Sequence, residues 1–301
     1  MKIHIFFYLL FLLFATIATN AFATIETNYC NNQKLKLAMP EGEGPFPGII
    51  FIHGGGWVSG NLEDFSDEIK EAARHGYVAI TINYRLTREE DKKYPWPAQI
   101  NDVKCAVRWF RAHAREYKLD PEKIGVIGHS AGAHLAMMLG FTKGIEKFEG
   151  NGGYEDYSSE VNAVVSVAGP SELKALYQQT TYATPVIRLC VNQLLEGPPT
   201  LKPDNYVDAS PLTYVENNEF PIMVIQGKLD QIATPEQSKI LIGELDRLGH
   251  DYRLLEYDYA GHELKNDWPH LMGELFKFFD KHLKHLEMEP FSCSPYPSCE
   301  W

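Results

Sequence analysis

The chain has 301 residues, 45% hydrophobic and 23% charged, with 40 acidic against 28 basic side chains and a formal net charge of −12. That length and composition fit one large globular domain or two smaller ones. An acidic balance with no basic cluster argues against nucleic acid or an anionic membrane surface as partner.

Lys2 precedes an almost wholly apolar run over residues 5–17, and Ala21-Phe22-Ala23 then offers small residues where a signal peptidase reads. The run is short for a membrane span. Residues 1–23 are therefore expected to be a signal peptide, and the mature protein to be secreted or periplasmic without a stable membrane span. An uncleaved anchor is the alternative. Residues 24–288 are then the folded domain, and 289–301 a tail holding Cys293 and Cys299.

From residue 48 to about 286, strand-like and helix-like segments alternate, the mark of a mostly parallel sheet in an α/β fold with helices on both faces. Strands are predicted over residues 48–53, 77–82, 124–127, 161–167, 221–226 and 252–257. Helices are predicted over 65–75, 98–117, 134–139, 235–248 and 267–286. The stretch 141–215 is irregular, with many tyrosines and the runs Gly150-Asn151-Gly152-Gly153 and Pro198-Pro199. It is expected to be a cap inserted into the one domain, since segments of this kind shape substrate pockets.

Five cysteines suit an oxidising compartment without forming a dense framework. Cys105 lies in a helical pattern and is expected to be a buried free thiol. Cys293 and Cys299 are candidates to pair with each other, and Cys30 and Cys190 are candidates for a second bridge. No CxxC pair or His/Cys cluster at zinc spacing occurs, so neither metal nor cofactor is indicated.

The chemistry centres on Gly128-His129-Ser130-Ala131-Gly132, placed between a buried strand and a helix. A Gly-x-Ser-x-Gly in that setting forms a sharp elbow that exposes the serine hydroxyl above the sheet, at the positive end of the following helix. A serine hydroxyl needs a base to take its proton, and the base needs an acid to fix its tautomer. Two downstream residues fit, in the order acid then base. Asp230, in Gln226-Gly227-Lys228-Leu229-Asp230, follows one predicted strand, and His262, in Ala260-Gly261-His262-Glu263, follows another. Asp258 would crowd acid and base onto one short loop. His113, His134, His270, His282 and His285 fall in predicted helices and are weaker candidates. Upstream, His53-Gly54-Gly55-Gly56-Trp57 follows the first buried strand and can aim backbone N–H groups at an oxyanion. Ala131, just after the serine, is the natural second donor. His53 is expected to organise the loop and not to act as the base. Trp57 and His129 are candidate substrate contacts.

These pieces, with Asn83-Tyr84-Arg85-Leu86, Pro95-Trp96-Pro97-Ala98-Gln99, Asp102 and Ala209-Ser210-Pro211, resemble the α/β-hydrolase carboxylesterases of the hormone-sensitive-lipase-like type. The chain is most similar to the subgroup of bifunctional feruloyl and acetyl xylan esterases. The resemblance implies an α/β-hydrolase fold, a serine esterase acting through an acyl-enzyme, and an oxyanion hole at Gly55 and Gly56, with the Trp57 N–H as a substitute. It implies acetyl or feruloyl esters of plant polysaccharide, or similar short-chain esters, as substrates. Tyr84, Arg85 and Asp102 look structural, with an Arg85–Asp102 ion pair expected. The chain departs from the family in having Gln226 where a histidine is common, and His129 where the lipase-like branch usually has aspartate. Two rival readings are a kynurenine-formamidase-like amide hydrolase, which carries a similar glycine run, and a non-catalytic binding protein on the same fold.

Overall fold

The computed structural model describes residues 23–87, 93–217 and 220–286. Residues 1–22 of the predicted signal peptide and the cysteines of the tail lie outside them. Among the described residues the eight strands are β1 Thr24–Asn28, β2 Lys34–Ala38, β3 Phe46–Ile52, β4 Val78–Ile82, β5 Leu119–His129, β6 Ala163–Val167, β7 Ile222–Gly227 and β8 Tyr252–Tyr257. They form one sheet in the order β1-β2-β4-β3-β5-β6-β7-β8. Strands β3 to β8 run parallel, and the β1–β2 hairpin adds antiparallel to β4.

Strands buried on both faces read as continuous apolar runs. In β3, Ile50 and Ile52 point to one face while Ile49 and Phe51 point to the other, and all four are fully buried. The first face is covered by α2 Ala98–Ala112, α3 Ala131–Phe141 and α7 Pro235–Leu248. The second is covered by α1 Ser66–Arg74 and α8 Trp268–Leu283. The period-two alternation of the strands thus feeds two separate cores, one above and one below the sheet. No described helix is long and apolar enough to cross a membrane.

The α7 and β8 boundaries coincide with those predicted. Strand β5 begins earlier than predicted, because Leu119 pairs with Phe46 before the register shifts and resumes at Gly48 with Ile124. The hairpin β1–β2 was not predicted, nor were the short helices α4 Leu173–Gln178, α5 Thr184–Leu195 and α6 Pro203–Asp208.

The cysteine assignments need correction. Cys105 is buried but not free: it is bonded to Cys30, with their Cα atoms 6.1 Å apart. The turn after β1 brings Cys30 onto the buried face of α2, where Asn31 Nδ2 also donates to Asp102 Oδ1 at 2.7 Å. Cys190 is therefore not the partner of Cys30 but a free, half-buried thiol. The expected Arg85–Asp102 pair is present, with Arg85 Nη2 2.8 Å from Asp102 Oδ1.

The stretch predicted as a cap divides in two. Its first part packs on α2: Gly150 lies against Asn101, and Gly152 against Cys30 and Cys105. Its second part, α4 to α6, lies between β6 and β7, and α4 and α5 line the cavity described next.

Candidate active site

Four loops leave the C-terminal ends of parallel strands and converge, where ligands of such sheets bind. The loop after β3 carries His53 to Trp57, the turn after β5 carries Ser130, and the loops after β7 and β8 carry Asp230 and His262. They surround a cavity of about 790 Å³.

Ser130 sits in the left-handed region, at φ 56° and ψ −121°, a conformation that costs a non-glycine residue on the order of 1–3 kcal/mol. Its neighbours hold it there. Its N–H donates to the Val167 carbonyl at 2.8 Å, and its carbonyl accepts from His134 N at 3.0 Å. The flanking glycines are steric necessities: a Cβ on Gly132 would stand 2.1 Å from the Ile52 carbonyl oxygen, and one on Gly128 2.1 Å from that of Gly132.

Ser130 Oγ lies 2.8 Å from His262 Nε2, and His262 Nδ1 lies 2.7 Å from Asp230 Oδ2. Asp230 has no exposed side-chain surface, so its charge needs donors. Its Oδ1 accepts the N–H groups of Ile232 at 2.7 Å and Ala233 at 3.1 Å. Its Oδ2 accepts Gln226 Nε2 at 3.3 Å besides His262. Asp258 points elsewhere, pairing with Lys228 at 2.7 Å.

The glycine loop is shaped by a tight turn in which Val58 and Ser59 N–H donate to the Gly55 carbonyl at 3.1 and 3.0 Å. Gly55 has φ +99°, and a Cβ there would meet the Ser59 carbonyl oxygen at 2.2 Å. Gly55, Gly56 and Ala131 all line the cavity. Trp57 lines it as well, but its indole N–H is engaged, donating to His134 Nδ1 at 3.2 Å. His134 Nε2–H in turn donates to the Ala209 carbonyl at 2.7 Å. Burial lowers the His134 pKa to about 4, so the imidazole is neutral and can accept on one nitrogen while donating from the other. His53 lies behind the loop, its ring stacked on Tyr84 at 4.3 Å and its Nδ1 2.8 Å from the Gly54 carbonyl.

His129 also lines the cavity. Its ring is 5.0 Å from that of His262, and its Nε2–H donates to the His262 carbonyl at 3.0 Å. Burial, and next the neighbouring His262, lower its pKa. His129, His262 and Glu263 place three metal-capable atoms within 4.8 Å of one another. Both His262 nitrogens are already committed to Asp230 and Ser130, so a metal there would have to displace one of them.

Opposite Ser130, the cap contributes Leu176, Val186, Ile187, Cys190 and Val191. Cys190 comes so close to the glycine loop that a Cβ on Gly56 would stand 3.0 Å from its Sγ. None of the cap tyrosines lines the cavity. Its aromatic lining comes from Trp57, Phe65, His129, His262 and Trp268. Sequence reasoning missed Cys190 as a lining residue, because it considered that thiol only for pairing. It also missed Trp268, which opens the predicted last helix with no local signal to mark it.

A family model described as BD-FAE matches residues 35–245. Among curated proteins, the probable carboxylic ester hydrolase LipM of Mycobacterium tuberculosis (strain ATCC 25618 / H37Rv) is 30% identical over 203 residues, covering 67% of this chain and 45% of LipM. Esterase LipC of the same strain is 29% identical over 223 residues, covering 72% of this chain and 53% of LipC. The chain thus spans about half the length of these curated relatives. Among solved structures, a truncated form of a carbohydrate esterase from gut microbiota is similar at a TM-score of 0.77 and 26% identity, covering 89% of this chain and 99% of that one.

Proposed function

Because the chain belongs to the BD-FAE family, we propose that it is a serine carboxylic-ester hydrolase. The observation that carries this is the continuous hydrogen-bonded chain from Ser130 Oγ through His262 to Asp230 at the cavity floor. In this reading Ser130 Oγ attacks the acyl carbon while its proton passes to His262 Nε2. Asp230 Oδ2 holds the Nδ1–H tautomer and stabilises the imidazolium that forms. The developing oxyanion is met by the N–H groups of Gly55, Gly56 and Ala131. The alcohol leaves with the proton from His262. Water then attacks the acyl-enzyme, again with His262 as base, releasing the acid and restoring Ser130.

The natural substrates we propose are acetyl or feruloyl esters of plant polysaccharide, or similar short-chain esters, with Trp57 and His129 in contact with them. The similarity to a carbohydrate esterase supports the sugar. The narrow gap between Cys190 and Gly56 supports a short acyl group. Export by the N-terminal segment is part of the same proposal, and the Cys30–Cys105 bond supports it, since such bonds persist in oxidising compartments.

The test is Ser130→Ala, assayed on p-nitrophenyl acetate and acetylated xylan, with a fluorophosphonate probe as a label for the nucleophile. Turnover should fall at least about a thousandfold and labelling should vanish, with an unchanged circular-dichroism spectrum. Retained turnover would overturn the assignment.

A further inference from the structure

Gln226 is the last residue but one of β7 and is wholly buried. Its Nε2 faces three acceptors: Asp230 Oδ2 at 3.3 Å, the Ala233 carbonyl at 3.1 Å and the Gly227 carbonyl at 3.1 Å. Its Oε1 lies 2.7 Å from Ser238 Oγ, on α7. This network fixes the amide's orientation. Backbone carbonyls can only accept, so the end facing them must be the NH₂. The oxygen then faces Ser238, whose hydroxyl must donate. Ser238 is buried too, so water does not compete for Gln226.

The result is one directed string: Ser238 donates to Gln226, Gln226 donates to Asp230, and His262 donates to the same Asp230 oxygen. With Ile232 and Ala233 on Oδ1, the four donors match the roughly four acceptor positions of a carboxylate. We infer that Gln226, oriented by Ser238, is a positioning residue of the proposed reaction: it fixes the Asp230 oxygen that holds His262, with a donor that carries no charge. This deepens the esterase reading and rests on it. A neutral donor matters because a buried carboxylate in that place would compete with Asp230 for a proton. The other titratable groups around the string are His129, packed on His262, and Glu263 beside it, which is exposed. Lys228 is tied up at the surface with Asp258 and Glu256.

Three variants test this on the full-length protein, with kcat and KM for p-nitrophenyl acetate measured from pH 5 to 9. Gln226→Glu places a second carboxyl 3.3 Å from Asp230 Oδ2. Protonated, it replaces the lost N–H; ionised, it repels Asp230. The kcat profile, expected to be a single rise for the parent, should become a bell with a new alkaline limb. Gln226→His retains an N–H donor and should keep kcat within about threefold of the parent, with a single rise. Ser238→Ala removes only the orienting hydroxyl, and should lower kcat several-fold with KM unchanged and no new limb. A Gln226→Glu profile that keeps the parent's shape overturns the inference, as does full activity in Ser238→Ala. Should Gln226→Glu fail to fold, the Ser238→Ala kcat decides. A parent that neither hydrolyses the ester nor takes the fluorophosphonate label would instead overturn the esterase reading itself.

Discussion

Replacing Cys30 and Cys105 together by alanine should destabilise the fold strongly although both lie away from the cavity. The bond joins residues 75 apart in sequence, and closing a loop of that length removes enough disorder from the unfolded chain to contribute about 4.5 kcal/mol at 25 °C. The folded side of the balance is small by comparison. The surroundings persist without the bond, since Gly152 lies against the Cys30 Cβ, which alanine keeps, and Asn31 still clasps Asp102. The unfolding midpoint should therefore fall on the order of 10 °C. Thermal and urea unfolding of the double variant, each single variant and the parent, with and without reductant, measure the midpoint and the free energy. Reductant should carry the parent most of the way to the double variant and leave the double variant unmoved. Neither cysteine lines the cavity, so the double variant should keep the parent's kcat on p-nitrophenyl acetate at 20 °C. A loss of less than about 1 kcal/mol would refute the reasoning, because it would mean that the unfolded chain gains little freedom when the bond is cut.

His134 makes stability depend on pH. Folded, it resists protonation until about pH 4, because it is buried; unfolded, it titrates near 6.5. Between those values the unfolded chain binds the extra proton, so stability falls as pH drops from 6.5 towards 4, by up to about 3 kcal/mol from this group. His134→Gln, which keeps a donor and an acceptor, should flatten that slope in urea unfolding at pH 7, 6, 5 and 4.5; an unchanged slope counts against the assignment. Cys190→Phe should fill the space between the cap and Gly56. It should reduce kcat/KM for p-nitrophenyl hexanoate, whose acyl chain is four methylenes longer, at least about tenfold more than for the acetate, the least that losing room for one methylene costs. Equal losses on both esters would place the acyl chain elsewhere.

What could be read from the sequence and what could not divide along physical lines. Strands β3 to β7 announced themselves because burial on two faces demands apolar runs such as Ile49-Ile50-Phe51-Ile52, while β8, at the sheet edge and only half-buried, showed as the short run Leu254-Leu255 between tyrosines. The positions of Asp230 and His262 followed, since each stands on the loop after one of these strands, β7 and β8. The hairpin β1–β2 was not legible: Thr24-Ile25-Glu26-Thr27-Asn28 lies at the sheet edge with mostly exposed side chains, so it lacks an apolar run. Short helices such as α4 and α6, six residues each, are stabilised by packing rather than by propensity, and so leave little local signal. The pairing of Cys30 with Cys105 depends on where α2 lies relative to the turn after β1, a contact between distant segments that spacing cannot reveal. Gln226 was visible as a departure from the family pattern, but its role emerged only with Ser238 beside it.

The cap's fastenings bear on whether it can be exchanged. Helices α4 to α6 leave the sheet after β6 and return before β7, so a different roof could be spliced in there without moving any strand that carries Ser130, Asp230 or His262. Gln179 and Thr181 also donate to the Ile232 and Gln231 carbonyls, next to Asp230, and the Leu194 carbonyl and Asp208 accept from Trp96. A new roof would have to rebuild these contacts, while ties on the flanking residues would have to survive the transplant. The Ala209 carbonyl receives His134, which in turn holds Trp57 of the glycine loop. The Ser210 hydroxyl receives the Leu173 N–H that begins α4. The Ser171 and Glu172 N–H groups both reach Gln237 Oε1, each at 2.9 Å. A chimera that keeps residues 171–173, 209, 210 and 237 and replaces what lies between 174 and 208 would let substrate range be re-engineered as a unit.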